Sequence, residues 1–398
     1  MKVLQVNSVC GVGSTGRIAL DIHELLIKLG HESYVAYGRK GAKRHNNSIK
    51  IGNKLDILLH AMITRLFDLH GFGSKRATID FIKKVKIIDP DIIHIHNIHG
   101  YYLNFEILFD FLKKSDIPIV WTLHDCWSFT GHCAYFDYAS CDKWKKLCFE
   151  CPEKKEYPKS LIIDNSKKNY LLKHKCFTNI KRLTIVTPSN WLKNKVNDSF
   201  LNIYPVNVIN NGIDLTVFRP TNSDFRVMHG IENSFMILGV ASLWGKRKGL
   251  SYFIELSEYI DEDEVIVLVG LTNKQVLSLP KKIIGITQTD NVKELAEIYS
   301  SADVFVNPTL EDNYPTTNLE ALACGTPVIT FNTGGSPESI NASNGLITSN
   351  KNTIDLLVSI KEIRKNLYYY ENSIDKLKHN KEYMLSQYIE LYQESLVK

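Results

Sequence analysis

Apolar residues follow two alternating patterns along the chain, and these patterns predict strands and helices in turn. Short apolar runs that end at loops predict buried strands at residues 2–8, 32–38, 91–97, 118–125, 183–189 and 206–212. Segments with helical spacing lie between several of these runs, at 17–30, 104–114 and 189–199. Such an alternation is typical of an α/β fold with a parallel sheet.

The pattern stops at residues 211–220 and then begins again. This stretch contains Gly212 and a late Pro220, which is typical of a linker. Beyond it, the pattern predicts strands at 235–242, 264–270, 283–288, 303–309 and 326–332, helices near 249–259 and 291–301, and an amphipathic closing helix at 381–395. The sequence therefore predicts two doubly wound domains that face each other across a cleft.

The length of the chain supports this division. Its 398 residues exceed the size at which a single hydrophobic core usually splits. We place the first domain at residues 1–212, with an insertion at 126–160, and the second at 213–378. Residues 379–398 are predicted to return to the first domain as a closing helix.

Composition excludes several classes of protein. With 44% hydrophobic and 23% charged residues, the chain resembles an ordinary globular protein rather than a disordered one. No apolar run approaches the ~18 residues of a membrane span, and the N-terminal run is too short for a signal peptide. We expect a cytoplasmic protein, held at most peripherally at the inner face of the cell membrane.

Charge is distributed unevenly along the chain. Residues 1–215 contain 31 Lys and Arg against 20 Asp and Glu, whereas residues 216–398 contain 17 against 23. A basic half favours anionic lipid, a pyrophosphate-bearing substrate or nucleic acid, although a solvated basic face would look the same. Because the sequence lacks interleaved stacking aromatics, nucleic acid is not expected.

Two acidic residues, Asp312 and Glu320, flank a predicted turn in the stretch LEDNYPTTNLEALACGTPV (310–328). Thr317 lies three residues before Glu320, which is the spacing of a capping box at a helix start. Glu320 is then either the reciprocal cap or a carboxylate that accepts hydrogen bonds from sugar hydroxyls. The free N–H groups of the helix start would suit a phosphate.

Three cations, Lys246, Arg247 and Lys248, follow the strand at 235–242 and precede a predicted helix. Cations beside a helix start are mildly unfavourable unless an anion binds there. An Arg can also hold a phosphate through two hydrogen bonds. This stretch therefore predicts phosphate binding, with an exposed basic turn as the alternative.

Gly13 and Gly16 belong to a Gly-x-Gly-x-x-Gly loop after the first strand, and we expect this loop to bind a ligand by letting the backbone approach it closely. No acidic residue follows the second strand to hold a ribose, which argues against nicotinamide binding. His124 comes at the end of another predicted strand, and we expect it to contact a ligand. His94, His96 and His99 are expected mainly to pack or form hydrogen bonds.

The insertion at 126–160 contains four cysteines, Cys133, Cys141, Cys148 and Cys151. Four thiolates in a short polar loop are typical of a structural zinc site, although the first spacing is long for one. Free thiols and disulfides remain alternatives. A closed four-thiolate site would have no catalytic role.

Taken together, these motifs resemble glycosyltransferase family 4, whose members are retaining enzymes of the GT-B fold. The resemblance is carried by GVGSTGR, TLHD, NGID, ELAEIYSSADVFVNPT, EDNYPTTNLEALACGTPVI and GGSPE, and it spans nearly the whole chain. The cysteine-rich stretch further resembles a branch that acts in capsule, exopolysaccharide or O-antigen assembly. The resemblance implies two Rossmann-like domains and transfer of a sugar from a nucleotide donor to a glycan or polyprenyl-pyrophosphate-linked acceptor.

The resemblance also implies residue roles. Asp312 would contact the donor sugar, Glu320 the ribose, and Lys248 the phosphates. His124 would lie near the reacting centre, and backbone N–H groups from Tyr314 through Thr316 and Thr317 would hold the diphosphate of a UDP- or GDP-linked sugar.

The chain departs from the family pattern at two positions. Its first acidic residue is Asp rather than Glu, and Leu243 replaces the usual Arg, so that Arg247 is the expected substitute. No metal is expected at the reacting centre. A sugar-nucleotide epimerase or another GT-B enzyme is the alternative function.

Overall fold

The protein consists of two compact α/β units in the computed structural model, which describes residues 1–41, 47–370 and 379–397. The first unit comprises Met1–Ile209 and Leu385–Lys398, and the second comprises Asn210–Met384. The boundaries therefore lie three and six residues from those expected at 212/213 and 378/379. Residues 371–378 of the predicted second domain, and Lys398 of the closing segment, lie outside the described residues.

The first unit is built on a parallel sheet of seven strands in the order β3-β2-β1-β4-β5-β6-β7. Its strands are β1 Lys2–Asn7, β2 Glu32–Tyr37, β3 Ser48–Lys50, β4 Ile92–Ile95, β5 Ile119–Thr122, β6 Leu183–Thr187 and β7 Val206–Val208. Its helices are α1 Gly13–Lys28, α2 Lys54–Phe67, α3 Lys75–Ile88, α4 Phe105–Lys114, α5 Ser166–Phe177 and α6 Asn190–Asn197.

The second unit has a parallel sheet of six strands in the order β10-β9-β8-β11-β12-β13. These are β8 Phe235–Val240, β9 Glu264–Val269, β10 Ile283–Ile286, β11 Val304–Asn307, β12 Val328–Phe331 and β13 Gly345–Thr348. Its helices are α7 Phe225–His229, α8 Leu250–Leu256, α9 Asn273–Val276, α10 Val292–Ser300, α11 Thr316–Ala323, α12 Thr353–Lys365 and α13 Leu367–Tyr370. The closing helix α14 Lys381–Val397 begins in this unit and ends in the first.

Aromatic side chains fill the core beside the first sheet. Trp121 on β5 packs against Phe109 of α4 and Phe177 of α5, with ring centroids 5.2 and 5.1 Å away. All three side chains are fully buried, and burying a side chain of this size stabilises the fold by about 1.5–3 kcal/mol. The cluster fixes α4 and α5 on the sheet.

The strand order places a switch point in each sheet. In the first unit, β2 and β3 are added on one side of β1, and β4 to β7 are added on the other, so the switch point lies between β1 and β4. In the second unit, the same change of side places the switch point between β8 and β11. In open parallel sheets, ligands bind at the carboxyl ends of strands beside such a point. Ligands are therefore expected beside the loops that follow β1, β4, β8 and β11.

Several elements were absent from the sequence prediction, namely β3, α2, α3, α5, α7, α9, β13, α12 and α13. Helix α2 was not recognised because apolar residues occur around most of its circumference, so that its sequence shows no separate polar face. Among the described residues, no helix combines the length and the apolar character that crossing a bilayer requires.

Candidate functional site

The loops after β8 and β11 lie close together in the second unit because the first of them has a glycine, without a Cβ, at the point of closest approach. Gly249 has φ +76°, and a Cβ there would lie 2.3 Å from the carbonyl oxygen of Pro308. Only glycine allows this approach together with the left-handed backbone. The cationic turn Lys246–Lys248 is thereby held against the segment that carries Asp312.

Asp312 is neutralised by the cations of that turn. Lys248 Nζ donates to Asp312 Oδ2 at 2.5 Å, and Arg247 Nη1 lies 3.8 Å from the same oxygen. Although burial raises the pKa of Asp312, the charges of Lys248 and Arg247 outweigh it and hold the pKa below its usual value. The carboxylate is thus ionised, and its two cations remain partly exposed.

Sequence reasoning missed the residues that hold the backbone of Asp312. Gly335 N–H donates to the Asp312 carbonyl at 2.9 Å, and a Cβ on Gly334 would lie 2.0 Å from that oxygen. The Gly pair of the GGSPE run was the available signal. It fixes the loop that carries the acidic residue.

The predicted capping box of α11 is wrong. The N-cap residue is Pro315, and no side chain caps the helix start. Glu320 instead accepts a hydrogen bond from Tyr299 Oη at 3.1 Å, and it is buried. Burial, and then the Glu320 charge, raises the pKa of Tyr299, so Tyr299 remains the donor.

The N-cap residue Pro315 therefore supplies no side-chain acceptor to the start of α11. Thr316 and Thr317 are half-buried in its first turn, and Tyr314 just before them is buried. Asn211 Nδ2 donates to the Tyr314 carbonyl at 3.0 Å and steadies the approach to the helix. Uncapped N–H groups and the helix dipole make such a start suitable for an anion.

In the first unit, His124 belongs to a chain of neutral hydrogen bonds across three neighbouring strands. His124 Nε2 lies 3.1 Å from His96 Nδ1, and His96 Nε2 lies 3.2 Å from Gln5 Oε1. Burial lowers the pKa of His124 to about 4 and that of His96 well below 6.5. Both rings are therefore neutral at pH 7.

The chain of contacts fixes the tautomers of both histidines. Gln5 Nε2 donates to the Ala19 carbonyl at 2.9 Å, so its Oε1 is the atom that faces His96 as acceptor. His96 must then carry its proton on Nε2 and accept at Nδ1 from His124 Nε2–H. The unprotonated Nδ1 of His124, on a side chain that is only half-buried, is left as an acceptor.

The other histidines form contacts of their own. His94 Nδ1 lies 2.6 Å from Tyr392 Oη of α14, which ties the closing helix to β4. His99 Nε2 lies 2.9 Å from Asp125 Oδ2, beside the loop after β5. Both histidines are buried, in keeping with the packing role expected of them.

The two glycines of the first loop differ in their surroundings. Gly13 begins α1 with φ +66°, and a Cβ there would meet no atom within 4 Å. A Cβ on Gly16 would lie 3.0 Å from Val9 Cγ2, so Gly16 permits close packing of helix and loop. The helix start has no side-chain cap, because its N-cap residue is Val12.

The four insertion cysteines are free thiols in the structure. A hydrogen bond with Cys151 raises the pKa of Cys133, and burial raises the pKa of Cys148 to about 12. Across residues 1–41, 47–370 and 379–397, no three or more His, Cys, Asp or Glu side chains form a group that could hold a metal ion. The structure therefore does not support the predicted zinc site at Cys133, Cys141, Cys148 and Cys151.

A buried lysine, which sequence reasoning did not single out, fastens the insertion to α5. Lys173 Nζ donates to the carbonyl oxygens of Trp127 and Thr130 at 2.6 and 3.0 Å. It also lies 3.4 Å from the centre of the Trp127 ring. Burial lowers the pKa of Lys173 to about 7.

Comparison with known families identifies the chain. Residues 15–217 match the family model described as Glycosyltransferase Family 4, and residues 234–366 match Glycosyl transferases group 1. The chain belongs to glycosyltransferase family 4. No support emerges for an epimerase.

Relatives of this glycosyltransferase agree with the assignment. It is 27% identical to the colanic acid biosynthesis glycosyl transferase WcaC of Escherichia coli K12, over 99% of this chain and 100% of the relative. It is 29% identical to an Escherichia coli UDP-Gal:alpha-D-GlcNAc-diphosphoundecaprenol alpha-1,3-galactosyltransferase, over 42% of this chain and 45% of the relative.

Solved structures share the fold of this glycosyltransferase. Sucrose-phosphate synthase of Thermosynechococcus elongatus superposes with a TM-score of 0.72 at 15% identity, covering 99% of this chain and 98% of that one. Anabaena HepE in complex with UDP gives 0.68 at 15% identity, covering 99% and 100%. The two parallel-sheet units therefore have the GT-B fold.

Proposed function

We propose that this glycosyltransferase transfers a sugar from a UDP- or GDP-linked donor to a lipid-linked glycan, with retention of configuration, in cell-surface polysaccharide biosynthesis. One observation carries the proposal: Lys248 and Arg247 flank the ionised Asp312, which lies shortly before a helix whose N-cap residue, Pro315, gives no side-chain cap. Relatives named for colanic acid synthesis and for diphosphoundecaprenol-linked acceptors support the choice of pathway class.

The second unit would bind the donor. Lys248, Arg247 and the N–H groups of Thr316 and Thr317 would hold the diphosphate and stabilise the charge that develops as it leaves. Their fixed dipoles and charges supply this stabilisation without a metal, which is why we propose metal-independent transfer. Glu320 would accept hydrogen bonds from the ribose hydroxyls.

Asp312 would orient the donor sugar. Its carboxylate already accepts from Lys248 and from the Asn313 N–H at 2.8 Å, so it is neutralised and fixed. A carboxylate held in this way suits hydroxyl binding better than covalent attack on the anomeric carbon. We therefore assign it to positioning of the sugar.

His124 would accept a hydrogen bond from a sugar hydroxyl at its unprotonated Nδ1. The relay from Gln5 through His96 keeps the proton on Nε2, so the acceptor nitrogen is set before the substrate binds. Gly13 and Gly16 would let the start of α1 approach the acceptor substrate.

A panel of nucleotide sugars in thermal unfolding tests this proposal. We expect one donor to raise the melting temperature of the wild type, because a ligand that binds only the folded state stabilises it. Glu320→Gln should lose at least about tenfold in donor affinity, because a carboxylate–hydroxyl hydrogen bond is worth about 1.5–3 kcal/mol.

Product analysis decides the reaction class. The stabilising donor should yield free nucleotide only with acceptor present, together with an α-configured glycoside from an α-linked donor, and chelators should leave the rate unchanged. Glu297→Gln, on the half-buried face of α10, is the matched control and should behave as wild type. Nucleotide-sugar isomerisation without transfer would contradict the proposal.

A further inference from the structure

Helix α2 of the first unit exposes apolar residues on one face and buries two polar residues on the other. Leu55, Leu58, Leu59 and Met62 are 61, 66, 48 and 47% exposed, and they recur with the spacing of one helical face. The only fully buried residues of this helix are His60 and Thr64. The exposed face therefore lacks the polar character that is usual on the solvent side of a surface helix.

The polar face is occupied by bonds within the unit. His60 Nε2 accepts the N–H groups of Gly71 and Gly73 at 3.0 and 3.2 Å, and His60 Nδ1 lies 3.0 Å from Ser74 Oγ. Thr64 Oγ1 donates to the His60 carbonyl at 2.8 Å. These bonds fix the rotation of α2 and hold its leucines outward.

A second apolar segment extends this face. Leu161 N–H donates to the Arg65 carbonyl at 2.7 Å, and Ile163 N–H donates to the Leu66 carbonyl at 3.4 Å. Leu161 and Ile162 are 55 and 65% exposed. We call the exposed residues Leu55, Leu58, Leu59, Met62, Phe67, Leu161, Ile162 and Ile163 the apolar surface.

Exposed basic side chains, here called the basic rim, belong to the same segments as the apolar surface or adjoin them in sequence. Exposed cations are contributed by both elements and by the start of α5, namely Lys54, Arg65, Lys155, Lys159, Lys167 and Lys168. Within the described part of the chain, none of these six forms an ion pair with a carboxylate.

The neighbouring carboxylates of Asp56 and Asp164 accept hydrogen bonds from backbone N–H groups. Asp56 accepts from Asn53 N–H at 2.9 Å, and Asp164 accepts from Cys151 N–H at 2.6 Å and from Ser166 N–H at 2.8 Å. Lys167, Lys168 and Leu171 line a groove together with Asp164 and Asn165, directly after the apolar segment. The groove thus presents two lysines beside the Asp164 carboxylate.

We propose that the apolar surface and its basic rim bind an anionic lipid bilayer. An apolar face with cations at its edge inserts between acyl chains while its lysines contact lipid phosphates. A second copy of the chain fits less well, because a two-fold contact would bring the two basic rims together. The inference rests on the proposed function in one respect: an enzyme with a lipid-linked acceptor must meet that acceptor at a membrane.

Sedimentation of the full chain with lipid vesicles tests this inference. We expect binding to vesicles rich in phosphatidylglycerol and little binding to pure phosphatidylcholine. Leu58→Gln with Met62→Gln should weaken binding by about tenfold or more, because two inserted apolar side chains are lost. Lys167→Gln with Lys168→Gln should weaken it by about fivefold for each lysine.

Matched controls carry the same changes elsewhere. Val227→Gln with Met228→Gln replaces two apolar residues of α7 that are 63 and 74% exposed, and Lys274→Gln with Lys281→Gln removes two exposed lysines. Both controls should bind vesicles as wild type does. Equal vesicle binding by all variants would overturn the inference. A wild-type protein that binds no vesicles but forms a dimer, which Leu58→Gln with Met62→Gln converts to a monomer, would overturn it as well.

Donor-induced thermal stabilisation, measured on the same preparations, separates the two proposals. A variant that loses vesicle binding but is still stabilised by the donor has a defect in the apolar surface or its basic rim alone. Vesicle binding without any donor stabilisation would leave the surface standing and count against the proposed function.

Discussion

The candidate sites of the two units occupy equivalent places in their sheets, but one is built from neutral side chains and the other from charged ones. In the first unit, Gln5, His96 and His124 form a neutral chain across β1, β4 and the end of β5. In the second unit, Lys248 and Asp312 form an ion pair between the loops after β8 and β11. The common position follows from the parallel sheet, whereas the chemistry follows from the side chains.

The difference shows two ways of fixing a polar group. Burial keeps the histidines neutral, so they hold their orientation only through hydrogen bonds. Acid disrupts this arrangement because it protonates the imidazole rings. The ion pair resists acid because the Lys248 charge keeps the pKa of Asp312 low, but salt weakens it. The two units should therefore fail under different conditions.

Acidification should produce the largest effect, and in the first unit. Burial lowers the pKa of His94 to about 3 and that of His60 to about 4, below the ordinary 6.5. Their neutral forms contribute stability above pH 6.5, and this contribution is lost as the pH falls toward 4. Between pH 7 and 5, each fully buried histidine should cost about 2 kcal/mol of unfolding free energy.

Tryptophan fluorescence during urea unfolding can assign this loss to one unit. Trp244 is the only tryptophan of the second unit, so Trp244→Phe leaves a signal from the first unit alone. Eleven of the 13 histidines belong to the first unit. A stability that stays constant from pH 7 to 5 would contradict the assignment of neutral, buried rings.

Lys248→Ala should have the next largest effect. Removing a cation that stabilises the leaving diphosphate should lower kcat/KM by about 10²–10³-fold, or about 3–4 kcal/mol. Lys274→Ala, an exposed lysine elsewhere in the unit, should leave the rate unchanged.

Asp312→Asn separates two roles of Lys248. If the lysine served only to neutralise Asp312, Lys248→Ala would not slow the Asp312→Asn enzyme any further. We expect the double variant to be slower than Asp312→Asn in steady-state kinetics, because the phosphates then also lack their cation.

Replacing His96 should have a smaller effect. His96→Phe removes the acceptor that fixes the His124 tautomer, and we expect about a tenfold loss in kcat with little change in donor KM. His96→Gln keeps a carbonyl oxygen within reach and should recover part of the rate. Nitrogen-15 NMR of the imidazoles should find the His124 proton on Nε2 in the wild type, and a proton on Nδ1 would refute the relay.

Salt should have the smallest effect. At about 0.5 M NaCl, screening should weaken donor binding by roughly two- to threefold, because the phosphate contacts are partly exposed. The tautomer of His124 should not respond to salt. Isothermal titration at two salt concentrations would detect the first effect, and NMR would check the second.

Sequence reasoning located the alternation of strands and helices, both sheets and the linker near residue 211. It also selected Lys248, Asp312 and Glu320 as candidates, from the cations before a helix start and from the acidic pair that matches the family motif. Of the two interpretations left open for Glu320, the reciprocal cap with Thr317 is wrong, because the carboxylate accepts a hydrogen bond from Tyr299. Tyr299 is 21 residues away, and local spacing carries no information about such a partner.

The sequence by itself determined the fold class, because hydrophobic periodicity and turn residues act within a few residues of each other. Only the tertiary structure decided which nitrogen of His124 is free, which carboxylate neutralises Lys248, and which face of α2 meets solvent. Each of these depends on contacts between residues far apart in the chain, such as Gln5 with His96 and Arg65 with Leu161. Burial and hydrogen-bond partners of this kind exist only once the sheets have assembled.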